Sequence, residues 1–290
     1  MIFNVPKNVS CDYDGYKWFI ELYQSAVNLF LSELLLNFEK TTWFDSSLLA
    51  ILGALLNRTE SNINSVRIIN LSSRIKVLFS RNHFLSHFGG YDLSDYYAST
   101  VQYNKFKPSE ERYFKSYLDM ELLSKDAFPQ ISPRLRKKVN ESIFEIFNNA
   151  VIHGQCDNIF SCGQLFPKKK LLTFCVVDLG KTIKRNVQNF LNNELSGQEA
   201  IVWATTATNT TRRGPIPGGL GLKLIREFLQ KNSGMIQIVS SDGFWQESNG
   251  HVIKRSYHEE FPGTVVTISF NVDDPAHYYL VGEFDPLTIF

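Results

Sequence analysis

The stretch SPRLRKKVNESIFEIFNNAVIHG (residues 132–154) has the pattern of a long amphipathic helix. Ser132 is a typical N-cap residue, and Pro133 is the residue most favoured at the first helical position. Apolar side chains then recur every three or four residues, as in a helix that packs against a core. They are Leu135, Val139, Ile143, Ile146, Phe147 and Ala150. Gly154 is placed to end the helix, so the stretch predicts one long helix in the second half of the chain.

A polar row, formed by Glu145, Asn149 and His153, runs along the edge of that apolar face. A step of four residues turns only about 40° around a helix, so the three side chains lie on one side. An asparagine amide oxygen is a hard ligand that suits Mg²⁺. A glutamate one turn earlier can orient or deprotonate a water or hydroxyl near the metal. The alternative is an ordinary polar helix boundary.

A buried strand candidate, LLTFCVVD (residues 171–178), ends at Asp178 and is followed by Leu179 and Gly180. A buried aspartate at a strand end can accept a hydrogen bond from an exocyclic amine such as that of adenine. Gly180 lets the backbone approach a ligand closely. Aspartate and glycine are also common in turns, so a simple turn is the alternative.

A glycine-rich segment, PGGLGLKLI (residues 217–225), precedes or opens an amphipathic helix. Its free N–H groups and the positive end of the helix dipole would face a phosphate. The glycines concerned are Gly218, Gly219 and Gly221, and Arg212, Arg213 and Lys223 are nearby cations that could assist. The segment has neither the P-loop nor the dinucleotide fingerprint, and a flexible loop is the alternative.

The order of predicted elements indicates two domains. In residues 131–290, helices and antiparallel strand candidates come in separate runs, which predicts an α+β domain with helices on one face of a sheet. In residues 1–103, a helix predicted over 14–37, a second helix and the strand candidate 65–71 predict a small α/β domain. The charge-rich residues 104–130 are predicted to connect the two.

Together and in this order, the three motifs resemble the N box and the two glycine boxes of the GHKL ATPases. Sensor histidine kinases, type II topoisomerases, Hsp90 and MutL share this nucleotide domain. The stretch PGTVVTISF (residues 262–270) is similar to the final strand of the family. The resemblance covers residues 130 to 272 and is closest to the anti-sigma-factor serine kinases. It implies a Bergerat-type α/β sandwich that binds ATP and Mg²⁺.

The resemblance also implies roles by position. Glu145 corresponds to the general base and Asn149 to the Mg²⁺ ligand. The positions that correspond to ATP contacts are Asp178, Gly180, Gly219, Leu220, Gly221, Leu222, Lys223 and Thr264. Residues 186–217 correspond to the ATP lid. Thr182 replaces the second glycine of the usual DxGxG pattern, a departure that concerns the lid hinge more than adenine binding.

The N-terminal stretch WFDSSLLAILGALL (residues 43–56) is similar to the core of a STAS domain, the anti-sigma-factor antagonist family. In that family, a serine receives phosphate from a GHKL kinase, and Ser47 is the corresponding residue. Leu48 stands in place of the usual glycine, and the helix predicted over 14–37 replaces the usual opening strands. The resemblance therefore implies a degenerate domain, for which a scaffold without phosphorylation is the favoured interpretation.

Composition narrows the class of protein further. The formal net charge of +1 argues against nucleic-acid binding through bulk charge. The four cysteines form no CxxC pair, which fits a reducing cytosol and neither a zinc site nor a disulfide framework. The apolar runs are too short to span a bilayer, so we expect a cytoplasmic protein with no membrane partner.

These observations predict an ATP-binding, Mg²⁺-dependent regulatory protein. Its activity would be that of an ATPase or a protein serine kinase in partner switching, with a protein partner and a possible homodimer. The alternative is a non-catalytic, ATP-gated module that binds a partner protein.

Overall fold

The computed structural model describes residues 1–206 and 220–283, apart from the side chains of residues 220 and 221. The first hundred residues form a parallel α/β unit. Its elements are β1 (Ile2–Asn4), β2 (Asn8–Val9), α1 (Tyr13–Ala26), β3 (Glu33–Asn37), β4 (Trp43–Phe44), α2 (Leu49–Ser61), β5 (Ser65–Ile69) and α3 (Ser73–Arg81). Three strands pair in parallel in the order β1–β3–β5, and β2 pairs in parallel with β4. Parallel neighbours need crossover connections, which α1 and α2 supply.

The rest of the chain forms an antiparallel sheet with helices. The elements are β6 (Thr100–Phe106), α4 (Glu111–Tyr117), α5 (Pro133–Asn149), β7 (Ile159–Phe166), β8 (Leu171–Asp178), α6 (Ile183–Leu191), α7 (Gly197–Thr205), α8 (Leu220–Lys231), β9 (Met235–Ser248) and β10 (His251–Asn271). The strand order is β6–β7–β8–β10–β9, and every pairing is antiparallel. The predicted α+β class is confirmed. No helix within the described ranges is long and apolar enough to cross a membrane.

The five-stranded sheet is buried on both faces. On one face, α5 and α8 contribute side chains such as Phe147 and Ile225 to a core with Phe174 of β8. On the other face, α1 and α2 of the N-terminal unit share a core with the sheet, including Phe19 and Val177. The N-terminal unit is therefore a third layer of the sandwich.

The helix predicted over residues 14–37 is wrong in its second half. The helix α1 ends at Ala26, and β3 occupies Glu33–Asn37 between β1 and β5. Three consecutive leucines in β3 hid the alternation of buried and half-buried side chains that marks a strand. Sequence periodicity alone cannot separate a short apolar strand from a continuing helix; pairing with two neighbours decided the strand.

The segment 104–130, predicted to connect two domains, is instead built into the second unit. Strand β6 pairs with β7, so the predicted boundary at residue 103 falls inside a strand. The helix α4 and the turn after it place Phe114, Tyr117 and Leu122 in the core of the sheet. The charged residues between these apolar positions occupy the exposed side of an amphipathic segment, which made the whole stretch resemble a linker.

Ser47, the position similar to a STAS phospho-acceptor, is completely buried. It lies in a short helical turn before α2, and its Oγ has no hydrogen-bond partner within the described part of the chain. Its neighbour Ser46 donates its hydroxyl hydrogen to Gln164 Oε1 of β7 at 2.6 Å. A phosphate cannot be transferred to Ser47 without opening this contact between the two units, which favours the scaffold interpretation.

Candidate functional site

A cleft opens between α5 and the five-stranded sheet, closed along its side by α6 and α7. Its empty space, the open mouth included, is about 1030 Å³. The predicted site residues that line it are Glu145, Asn149, His153, Asp178, Leu222 and Thr264. Residues from one helix, two strands and a second helix therefore meet in one cavity.

The polar row on α5 lines the cleft as its spacing predicted. Glu145 and Asn149 are half-buried one helical turn apart. After Asn149 the helix continues as one wider, π-type turn, Ala150–Gly154. The helix ends at Gln155, whose backbone is in the left-handed region with φ of 51°. The backbone carbonyl of His153 accepts a hydrogen bond from Asn186 Nδ2 at 3.0 Å, so this end of the row is tied to α6.

Asp178 is buried at the end of β8, directly opposite Thr264 of β10. Residues paired in this way point to the same face of a sheet, so both side chains reach the cleft. Burial raises the pKa of Asp178 to about 7, partly offset by the N–H of Gly180, which donates to Asp178 Oδ1 at 2.9 Å. The carboxyl group is thus an acceptor whose charge changes near neutral pH.

Glycines allow the backbone to pack closely around Asp178. A Cβ atom on Gly180 would lie 2.1 Å from the carbonyl oxygen of Gly154. A Cβ atom on Gly154 would lie 2.8 Å from Asp178 Oδ1, and one on Gly263 would lie 2.0 Å from the Asp178 carbonyl oxygen. The N–H of Lys181 donates to the Gly154 carbonyl at 2.7 Å, which fastens the turn after β8 to the end of α5.

Thr264 is held by a neighbour that the sequence did not point to. The hydroxyl oxygens of Thr264 and Ser240 are 3.0 Å apart. Ser240 Oγ donates to the Gly263 carbonyl at 2.9 Å and accepts from the backbone N–H of Ile183 at the same distance. Ser240 therefore fixes the Thr264 hydroxyl and the first residue of α6 together.

The glycine-rich segment is only partly described. Gly218 and Gly219 lie outside the described residues, as do residues 207–217 of the predicted lid. Leu220 and Gly221 open α8, and Leu222 lines the cleft. Lys223 does not line it: its side chain is 54% exposed, with Nζ 3.7 Å from Glu227 Oε1 one turn along α8.

Several lining residues were not singled out from the sequence. They are Lys181, Ile183, Asn186, Val187 and Trp203. The helix α6 carries apolar residues at Ile183, Val187 and Phe190, a helical spacing that could have indicated a wall of the site. Trp203 of α7 contacts Phe190, with ring centroids 5.6 Å apart, and this contact joins the two helices.

The pKa of Asp178 predicts a pH-dependent stability. Because the folded-state pKa of about 7 exceeds the ordinary value of 3.8, the folded protein holds this proton over a wider pH range. The protonated Asp178 carboxyl group therefore adds to the free energy of unfolding. This contribution is fully present below about pH 4 and is lost as pH rises through 7, on the order of 4 kcal/mol in total. Chemical denaturation of wild type and Asp178→Asn at pH 5 and pH 8 measures this effect. The variant should gain stability over wild type at pH 8, and an equal difference at both pH values would refute the assignment.

The oxygen atoms that line the cleft are compatible with a Mg²⁺ ion whose other ligands are phosphate oxygens and water. The described residues contain no group of three or more His, Cys, Asp or Glu side chains that could hold a metal ion by themselves. Mg²⁺ commonly takes one or two protein oxygens and fills its remaining positions with phosphate oxygens and water. The amide oxygen of Asn149 is a suitable single protein ligand for such a site.

No protein-family model matches this chain, and no curated protein matches it significantly.

Proposed function

We propose that this chain is a Mg²⁺-dependent, ATP-binding regulatory protein of the GHKL class, with a Bergerat-type sandwich around the cleft. The observation that carries the proposal is the convergence of Glu145, Asn149, Asp178 and Thr264 in one cavity. These residues span 119 positions of the chain, from Glu145 to Thr264, and the fold brings them to one cavity.

In this proposal Asp178 and Thr264 select the base. The Asp178 carboxylate accepts a hydrogen bond from the exocyclic amine of adenine, and the Thr264 hydroxyl supports the same contact through water. Val176, Ile238 and Val266 supply the apolar floor on which the base lies. An apolar cavity with a few converging polar groups suits a purine.

The phosphates then extend towards α5. Bound Mg²⁺ would neutralise charge on the phosphate oxygens, with Asn149 as its protein ligand. Glu145, one turn away, accepts the proton of a water molecule or of a serine hydroxyl as that oxygen attacks the terminal phosphorus and ADP leaves. The first nucleophile makes the protein an ATPase and the second makes it a protein serine kinase.

Two substitutions test this division of labour. Asn149→Ala should remove the Mg²⁺ dependence of ATP binding, measured by calorimetry with and without EDTA. Glu145→Gln should keep Mg-ATP binding but lower phosphate release or transfer by about 100-fold or more, because it removes the base and keeps the shape. Lys254→Gln is a matched control at an exposed position of β10 that does not line the cleft, and it should change neither property.

The outcomes separate the proposal from its alternative. If wild type binds Mg-ATP but neither hydrolyses it nor phosphorylates a protein, the chain is a non-catalytic, ATP-gated module. If wild type shows no Mg²⁺-dependent ATP binding, the GHKL proposal itself is wrong.

A further inference from the structure

A second open groove lies outside the ATP cleft, between the N-terminal unit and the turn that follows β8. We name it the turn groove. Its walls are Tyr23, Val27, Arg58, Lys181, Lys184 and Arg185, with Pro262 at one edge. Its empty space, the open mouth included, is about 1270 Å³, and it is wide open to solvent. Both units of the protein therefore contribute to one surface.

The turn groove is predominantly basic. Among its described lining residues, four cations face two carboxylates, Glu194 and Glu260. Lys184 is already neutralised, because its Nζ lies 2.9 Å from both Asp242 Oδ1 and Glu260 Oε1. The ion pairs found within the described ranges include none of Arg58, Lys181 and Arg185.

The turn groove and the cleft lie on either side of the turn that follows β8, and Lys181 lines both. Leu179 packs its side chain against the core that the N-terminal unit shares with the sheet, and its carbonyl accepts a long hydrogen bond of 3.4 Å from Arg58 Nη1. The preceding residue is Asp178 and the following one is Gly180, which donates to the Asp178 carboxylate. A ligand that draws Arg58 away from Leu179 therefore acts on the backbone that holds Asp178.

We propose that the turn groove is a docking site for an acidic segment of a protein partner. Carboxylates of such a segment would pair with Arg58 and Arg185, whose guanidinium groups suit bidentate contacts. Tyr23, Val27 and Pro262 offer an apolar ledge beside these cations for a neighbouring apolar side chain. An open groove with charged and apolar walls fits an extended chain better than a small ion.

Occupancy of the turn groove is also coupled to the cleft through Leu179 and Gly180. This coupling rests on the proposed ATP binding, whereas the docking itself does not. Because linkage is reciprocal, a nucleotide in the cleft must change the affinity of the segment by the factor by which the segment changes that of the nucleotide.

The test uses the full chain and a fluorescein-labelled peptide of alternating glutamate and leucine. Its affinity is measured by fluorescence anisotropy at physiological salt, first without nucleotide. Arg58→Gln and Arg185→Glu should each weaken binding about tenfold, as expected when one partner of a charge pair is lost or reversed. Arg185 is exposed on α6, so the second variant keeps the fold even if the first disturbs the contact with Leu179.

Two controls keep the test specific. Lys254→Glu reverses an exposed charge on β10 that does not line the turn groove and should bind the peptide as wild type does. A glutamine–leucine peptide should not bind. Equal affinity of Arg185→Glu and wild type, or competition by inorganic phosphate alone at millimolar concentration, overturns the docking proposal.

Repeating the titration with Mg-ATP tests the coupling. A shift in peptide affinity of about fivefold or more supports it, and an unchanged affinity with bound ATP refutes it. Absence of ATP binding would overturn the proposed function and the coupling. The titration of the nucleotide-free protein would still show whether the acidic peptide docks in the turn groove.

Discussion

Replacing Gly180 with alanine is expected to destabilise the protein by about 2–4 kcal/mol and to abolish nucleotide binding. The added Cβ would lie 2.1 Å from the carbonyl oxygen of Gly154 and 2.6 Å from its carbon. Both are backbone atoms, so no side-chain rotation can relieve the clash. The turn after β8 must move away from the end of α5, and the hydrogen bond from Lys181 N–H to Gly154 must break or lengthen. That movement displaces Asp178.

Urea unfolding midpoints and ATP calorimetry measure the two effects. Gly89→Ala is the matched control, because a Cβ there meets nothing within 4 Å. Its cost is only that of placing alanine at φ of +80°, about 1 kcal/mol, with no loss of binding. A Gly180→Ala protein with the stability and affinity of wild type would show that the close packing of this turn is not required.

Replacing Asp178 with asparagine is expected to weaken ATP binding about 100-fold while the protein stays folded. Asparagine has nearly the shape of aspartate, and its amide oxygen can still accept from the Gly180 N–H. Its amide nitrogen would then face the exocyclic amine of adenine, and two donors cannot bond to each other. The loss of a hydrogen bond to a charged group, about 1.5–3 kcal/mol, corresponds to this change in affinity.

The base specificity of the variant provides a sharper measurement than affinity alone. Inosine triphosphate carries a carbonyl where ATP carries the amine, so it should bind wild type poorly and Asp178→Asn relatively better. Asp273→Asn, at an exposed carboxylate paired with Lys170, is the control and should leave both nucleotides unaffected. If Asp178→Asn keeps the preference of wild type for ATP, the base does not contact Asp178.

Asp178 also shows which properties of a site residue a sequence motif can predict and which it cannot. The apolar run before it predicted a strand end, and the resemblance implied contact with adenine. Its raised pKa is caused by burial, and Gly154 after α5 and Gly263 of β10 pack closely against it. No local pattern could indicate that burial, because the residues that exclude water are distant in sequence. The same holds for Ser240. Its contact with the Thr264 hydroxyl depends on the pairing of β9 with β10, which the local sequence around Ser240 does not indicate.

The sequence by itself determined the features that depend on local periodicity and capping. Local signals were sufficient to predict the N-cap of α5 at Ser132, the polar row along this helix and the end of β8 at Asp178. They were also sufficient to predict the α+β class of the second unit. Tertiary contacts decided what local signals left ambiguous. Pairing with β1 and β5 made residues 33–37 a strand, and pairing with β7 joined residues 100–106 to the second sheet. Tertiary contacts also bury Ser47 and pack the N-terminal unit against the face of the sheet opposite α5. Hydrophobic burial of this kind depends on segments that are distant in sequence, so no local pattern indicates it.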